Sequence, residues 1–214
     1  MKLLTTILII TGFAFASQYF QFEQPLAKNI KSIEKKFGSK KFKLKSKIYI
    51  SDDFFPDAGR FKLEQPLVFI RKDENFHIQS EVQYFFTSDD TVRLITHSWD
   101  TKAISNKIRY NKDFSKTKKE EIEQWNLKYD NLTKELSDAL GKPANGTGKS
   151  ELKTSSGYGD WKERNLKWIS HGCTTELKMI WSEQNIKISN SVRLVPTFRI
   201  RIKIYWNEKG DNNQ

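Results

Sequence analysis

Cysteine is almost absent from this chain of 214 residues: there is one, Cys173, alongside two methionines, five prolines and three histidines. A lone cysteine excludes an intrachain disulfide, so stability has to come from a packed core. The 37% hydrophobic content and fifteen phenylalanines supply the material for one. Cys173 itself reads as a buried, inert thiol, with an intermolecular disulfide as the alternative. The scarcity of histidine narrows the chemistry further. His171 and Cys173 offer two metal-capable side chains, but His77 and His97 fall on separate predicted strands without a spaced partner, so no zinc set assembles and no metal or cofactor is expected.

Catalytic signatures are missing too. Neither a G-x-S-x-G elbow nor an H-E-x-x-H pair occurs. Gly146-Thr147-Gly148-Lys149-Ser150 imitates the end of a phosphate-binding loop, yet the first glycine of that motif would fall on Pro143. The stretch also follows a helix terminus instead of a buried strand, so no nucleotide is expected. An acid-base site could be assembled from Asp52, Asp53, Asp57, His97, Asp100 and His171, but only at separations that spacing cannot supply. The three aspartates between 52 and 57 read more simply as turn-formers.

Long apolar runs are limited to one. Leu3 to Phe15 carries no charge, follows Met1-Lys2 and leads into Ala14-Phe15-Ala16, which predicts a cleavable signal peptide over 1–16 with the cut before Ser17. The run is well short of the roughly 20 residues that span a bilayer. The expectation is therefore an exported protein, periplasmic or secreted, with no transmembrane segment in the mature chain. Acidic residues are outnumbered, 26 against 37 basic ones, for a net charge of +11. That surplus favours anionic partners without choosing among them, and a Lys- and Asn-rich composition would produce it with no partner at all.

What is present is periodicity. Leu26, Ile30, Ile33 and Phe37 share one helical face, with Pro25 at the first turn and Gly38 as the stop. A strand is predicted from Lys41 to Ile50, then a turn-rich loop from Ser51 to Gly59. A meander follows over Leu67–Ile70, Ile78–Phe86 and Val92–Trp99, with one face buried. Thr117 and Glu120 form a capping box for a second helix whose stripe is Ile122, Trp125, Tyr129, Leu132, Leu136 and Leu140, ended by Gly141 and Pro143. The stretch after it reads as a flexible loop, before strands at Trp161–Ile169, Thr174–Trp181, Ile186–Ser189 and Pro196–Trp206. Asn207–Gln214 reads as a polar tail.

The expected architecture is a single α+β domain over 17–206, an antiparallel sheet with two amphipathic helices packed on it. Similar helix spacings suggest two halves, 17–112 and 113–206, as a tandem α-β-β-β duplication; amphipathic helices share such spacing without common origin, so coincidence is the competing reading. The most informative surface feature is a pair of basic strand faces. Lys41, Lys43, Lys45 and Lys47 end beside Tyr49, and Arg199, Arg201 and Lys203 end beside Tyr205. Side by side they would make a cationic platform with aromatic edges for a polyanion; apart, they are solvated faces or guarded edges.

The functional expectation is an exported, non-enzymatic binding domain that recognises an anionic envelope polymer or another envelope protein through this basic face. A secreted hydrolase of wall or glycan polymers is the runner-up, and an inhibitor or assembly module that docks by its sheet is the third reading.

Overall fold

The computed structural model describes residues 19–56, 58–101, 119–155, 159–170, 172–188 and 191–206. The stretch expected to be a signal peptide, Asp57, Thr117, His171 and the polar tail lie outside the described residues. Two helices, α1 (Ala27–Lys36) and α2 (Lys119–Leu140), accompany eight strands: β1 (Lys40–Phe42), β2 (Leu67–Arg71), β3 (Ser80–Phe86), β4 (Val92–Asp100), β5 (Glu151–Ser155), β6 (Gly159–Ser170), β7 (Cys173–Ile188) and β8 (Ser191–Tyr205). All eight join one antiparallel sheet in the order β1-β2-β3-β4-β8-β7-β6-β5, an α+β arrangement.

Helix α1 forms where the spacing predicts it, but its start differs: Pro25 stays outside, and Leu26 is the N-cap. The first N–H, on Ala27, is satisfied by the Asp90 carbonyl at 2.7 Å. At the other end Gly38 adopts φ +62° and donates to the Lys35 carbonyl, a left-handed stop that glycine takes without penalty. The buried stripe contains one charged residue, Glu34, one turn after Ile30.

Both helices cover the same face of the sheet. Ile30 of α1, and Trp125, Tyr129, Leu132 and Leu136 of α2, pack on Val82, Tyr84, Ile95, Trp168, Leu177, Ile200, Ile202 and Ile204. Trp125 stacks on Phe198 with ring centroids 5.2 Å apart. This continuous apolar layer is the main contribution to stability, at about 2 kcal/mol for each large side chain it removes from water.

The second face is not open, as alternation in β3 suggests, because Phe85, Leu94 and Tyr205 lie on it under a lid of chain. After β1 the backbone leaves the sheet, so the strand expected over Lys41–Ile50 is only the edge strand Lys40–Phe42. The following residues cross the second face and bring Ile48, Ile50, Phe54, Phe55, Ala58 and Phe61 onto that apolar patch. Phe55 and Phe61 stack with centroids 5.3 Å apart.

The C-terminal half also differs from expectation in two places. The stretch between α2 and β6, read as a flexible loop, contains the edge strand β5. Its Leu152 is exposed, so backbone bonds to β6 hold it instead of burial. The two strands expected at Thr174–Trp181 and Ile186–Ser189 are, as far as Ile188, one continuous strand, β7, and Ser189 lies outside the described residues.

Gly146 marks the tightest approach in this half. Its φ is +90°, and a Cβ there would sit 2.4 Å from the Asn165 backbone oxygen. Gly146→Ala is expected to cost about 3 kcal/mol in urea unfolding, combining left-handed strain with a clash against backbone. Gly38→Ala, with open space around its Cβ, should cost about 1 kcal/mol. Equal losses at both sites would show that the contact with β6 is unimportant.

Candidate functional site

The two basic stretches singled out in the sequence occupy different places. Strand β1 is at one edge of the sheet and β8 is central, with β2, β3 and β4 between them. On β8 the outward side chains are set by register: Asp100 is opposite Arg199, Ser98 opposite Arg201 and Thr96 opposite Lys203 on one side. Ile180, Lys178 and Glu176 oppose the same three on the other.

The cations of β8 are therefore committed to neighbours. Arg199 Nε lies 2.5 Å from Asp100 Oδ2, and Lys203 Nζ lies 2.6 Å from Glu176 Oε2. Lys203 also donates to the Phe54 carbonyl at 2.9 Å, and the Arg201 guanidinium sits 4.8 Å from the Phe54 ring centroid. Arg201 donates to Ser98 Oγ at 3.1 Å. Burial, reinforced by the charge of Arg199, brings its pKa down to about 10 against the opposing pull of Asp100 and Glu81. Tyr205 is 2% exposed and donates to Glu176 Oε1 at 2.9 Å. Burial and the charge of Glu176 push its phenol well above the ordinary value. Burial alone would raise the Glu176 carboxyl, but the hydrogen bond and charge of Lys203, with help from Tyr205 and Lys167, hold it below the usual range.

The β1 stretch is different. Lys40, Lys41, Lys43, Lys45 and Lys47 are all exposed, and none has an ion pair among the described residues. Tyr49 at the end of the run is 84% exposed. Phe42, Leu44, Ile48 and Ile50 alternate with them and are half-buried. A paired amide anchors the run: Ile48 N–H donates to Gln65 Oε1 at 2.9 Å, and Gln65 Nε2 donates back to the Ile48 carbonyl at 3.2 Å. The result is a lysine ribbon on an apolar footing, leading into the lid over β8. Lys40 belongs to it and was legible in the Lys-Lys-Phe-Lys-Leu-Lys-Ser-Lys run, one residue before the predicted strand.

On the helix side, a cleft of about 850 Å³ opens between the end of α1, the turn after β2 and the middle of α2. Its floor includes Arg71 and Tyr19, and α2 contributes Lys128, Lys134 and Glu135. Lys128 is 2.6 Å from Asp73, which also accepts from the Trp99 indole at 2.8 Å. Burial raises the Glu135 carboxyl, with Lys128 opposing. Tyr19 is pushed up to about 12 by burial, against the charge of Arg71.

Of the groups considered for acid-base work, the described ones, His97, Asp100, Asp52 and Asp53, do not line this cleft. His97 is 1% exposed under Tyr19 and Phe20, with ring centroids at 6.0 and 5.1 Å, and it does not line the cleft. Asp100 lies on the opposite face of β4 with Arg199, and Asp52 and Asp53 are exposed on the lid. Cys173 is buried, donates to the Ser170 carbonyl at 3.2 Å, and has its thiol pKa raised by burial. No helix among the described residues is long and apolar enough to cross a membrane. The chain matches no family model, and neither a curated protein nor a solved structure matches it.

Proposed function

We propose that this chain is an exported, non-enzymatic binding domain, and that its lysine ribbon, Lys40, Lys41, Lys43, Lys45 and Lys47 with Tyr49, engages an anionic envelope polymer. One contrast carries the reading: the ribbon lysines are exposed and unpaired among the described residues, whereas the cations of β8 are tied to Asp100, Ser98 and Glu176. Free cations release counterions when they meet a polyanion; cations already neutralised by neighbours release few. Tyr49 adds a ring that can stack on sugar faces. Export rests on the apolar run before Ser17, and a cut there leaves Tyr19, Phe20 and Phe22, which pack into the main core, on the mature chain. The strand order supports a duplication in a modified form, each half running helix then four strands and the halves meeting at β4 and β8.

The test is retention on immobilised heparin or a teichoic-type polymer against salt. Replacing the five ribbon lysines by Gln should flatten the slope of log K against log salt by about 3–5, at 0.7–0.9 for each phosphate-like contact. Arg199→Gln and Lys203→Gln should leave that slope unchanged while lowering stability. Retention that survives loss of the ribbon, or that follows the β8 pair, would reject this site in favour of protein docking by the sheet.

A further inference from the structure

Strands β7 and β8 are longer than the sheet that holds them. Pairing with β6 stops at Trp181, and pairing with β4 stops at Arg199. Beyond those points, among the described residues, β7 and β8 pair only with each other, from Ser182↔Thr197 to Ile188↔Ser191. Seven residue pairs make a two-stranded arm about 24 Å long. A two-stranded ribbon without further neighbours is marginal in water, and its unpaired edges template another strand. The two edges are not equivalent. The β8 side carries Pro196, which lacks an N–H, whereas the β7 side, Ser182 to Ile188, has no proline and can form a full ladder.

The sequence of the β7 edge is self-complementary about one residue. Antiparallel pairing of two copies around a twofold axis at Asn185 sets position 183, a glutamate, opposite position 187, a lysine, and does so twice. It also sets Asn185 opposite its own copy. Moving the centre one residue either way opposes Glu183 to Asn185, or Asn185 to Lys187, and loses both charge pairs. An isologous contact of this kind is the usual route to a closed dimer.

We infer that the β7–β8 arm is a dimerisation element in which the β7 edges of two copies pair antiparallel, centred on Asn185, so that position 183 stands opposite position 187 of the second copy. The occupant of the edge is a second copy of this chain, and the pairing joins two two-stranded arms into one four-stranded sheet across the axis.

The test is a charge-reversal cycle on the purified full chain, read by sedimentation equilibrium over a wide concentration range, with circular dichroism to establish that each variant is folded. The wild type should dimerise. Glu183→Lys and Lys187→Glu should each weaken the dimer by about tenfold or more, since each converts two attractive cross-strand pairs into two repulsive ones. The double reversal should restore it. A wild-type monomer throughout, a dimer indifferent to both single reversals, or a double variant that stays weakened would each overturn the assignment.

Discussion

Glu34→Gln is expected to destabilise the fold by about 3–5 kcal/mol, the cost of removing one partner from a buried ion pair. Glu34 and Arg71 have side-chain exposures of 1% and 3%, and Arg71 Nη2 lies 2.5 Å from Glu34 Oε1. Arg71 Nε donates to Glu34 Oε2 at 3.0 Å, Ser39 donates to the same oxygen, and the Tyr84 hydroxyl donates to Oε1. Another arginine N–H reaches the Tyr19 carbonyl at 2.8 Å, while the guanidinium lies 3.8 Å from the Phe37 ring centroid. Burial alone would raise the Glu34 carboxyl, but the hydrogen bonds and charge of Arg71, with Ser39 and Tyr84, outweigh it and leave the pKa below the ordinary value. Removing the negative charge leaves the guanidinium buried against an amide, an uncompensated cation in a dry site. Arg71→Met should cost a similar amount. The double variant should cost far less than the sum, because neither orphan then remains. Urea unfolding of the four proteins measures this directly; additive losses would mean that the two residues act separately.

That network explains why part of the fold was legible and part was not. The helical stripes and the meander from β2 to β4 are local, so spacing within a few residues displays them. Glu34 sits on the rim of such a stripe and reads as solvated, because Arg71 is far along the chain and only the packing of α1 on β2 and β3 brings the two together. Strand β5 escaped for a related reason. An edge strand with an exposed Leu152 has no buried face to produce alternation, and its pairing with β6 is a property of the backbone.

The basic faces divide along the same line. The ribbon from Lys40 to Lys47 kept its exposed lysines although most of it is not strand, since alternate half-burial of Phe42, Leu44, Ile48 and Ile50 does not need a ladder. The β8 face kept its alternation, yet its charge is spent on Asp100 and Glu176, which only the order β4-β8-β7 places alongside. A sequence displays which residues share a face of one strand. It is silent about what stands on the next strand, and for charged residues that neighbour decides whether a face is available to a ligand.

His97 carries the second large effect, an acid-induced loss of stability that begins near neutrality. It lies on β4 opposite Val82 and Ile202, with Tyr19 and Phe20 over it, and neither ring nitrogen has a hydrogen-bond partner among the described residues. Burial, helped by the positive charge of Arg71, holds its pKa well below the ordinary value. The carboxylate nearest to Arg71, Glu34, is already bound to it. The folded chain thus keeps His97 neutral while the unfolded chain protonates it near pH 6.5, so below that value the unfolded state binds one proton more. Stability should fall by about 1.4 kcal/mol for each pH unit below 6.5, or about 2 kcal/mol by pH 5, until the folded pKa is reached. The Glu34 contribution is lost in a separate window, below the ordinary carboxylate range, so acid unfolding should proceed in two slopes. His97→Leu removes the titrating group from an apolar site and should flatten the profile between pH 7 and 5 while leaving the lower slope in place. A wild-type profile already flat above pH 5 would mean that the imidazole reaches solvent or a partner when charged. The buried ring would then be a mobile element of the N-terminal packing and not a fixed part of the core.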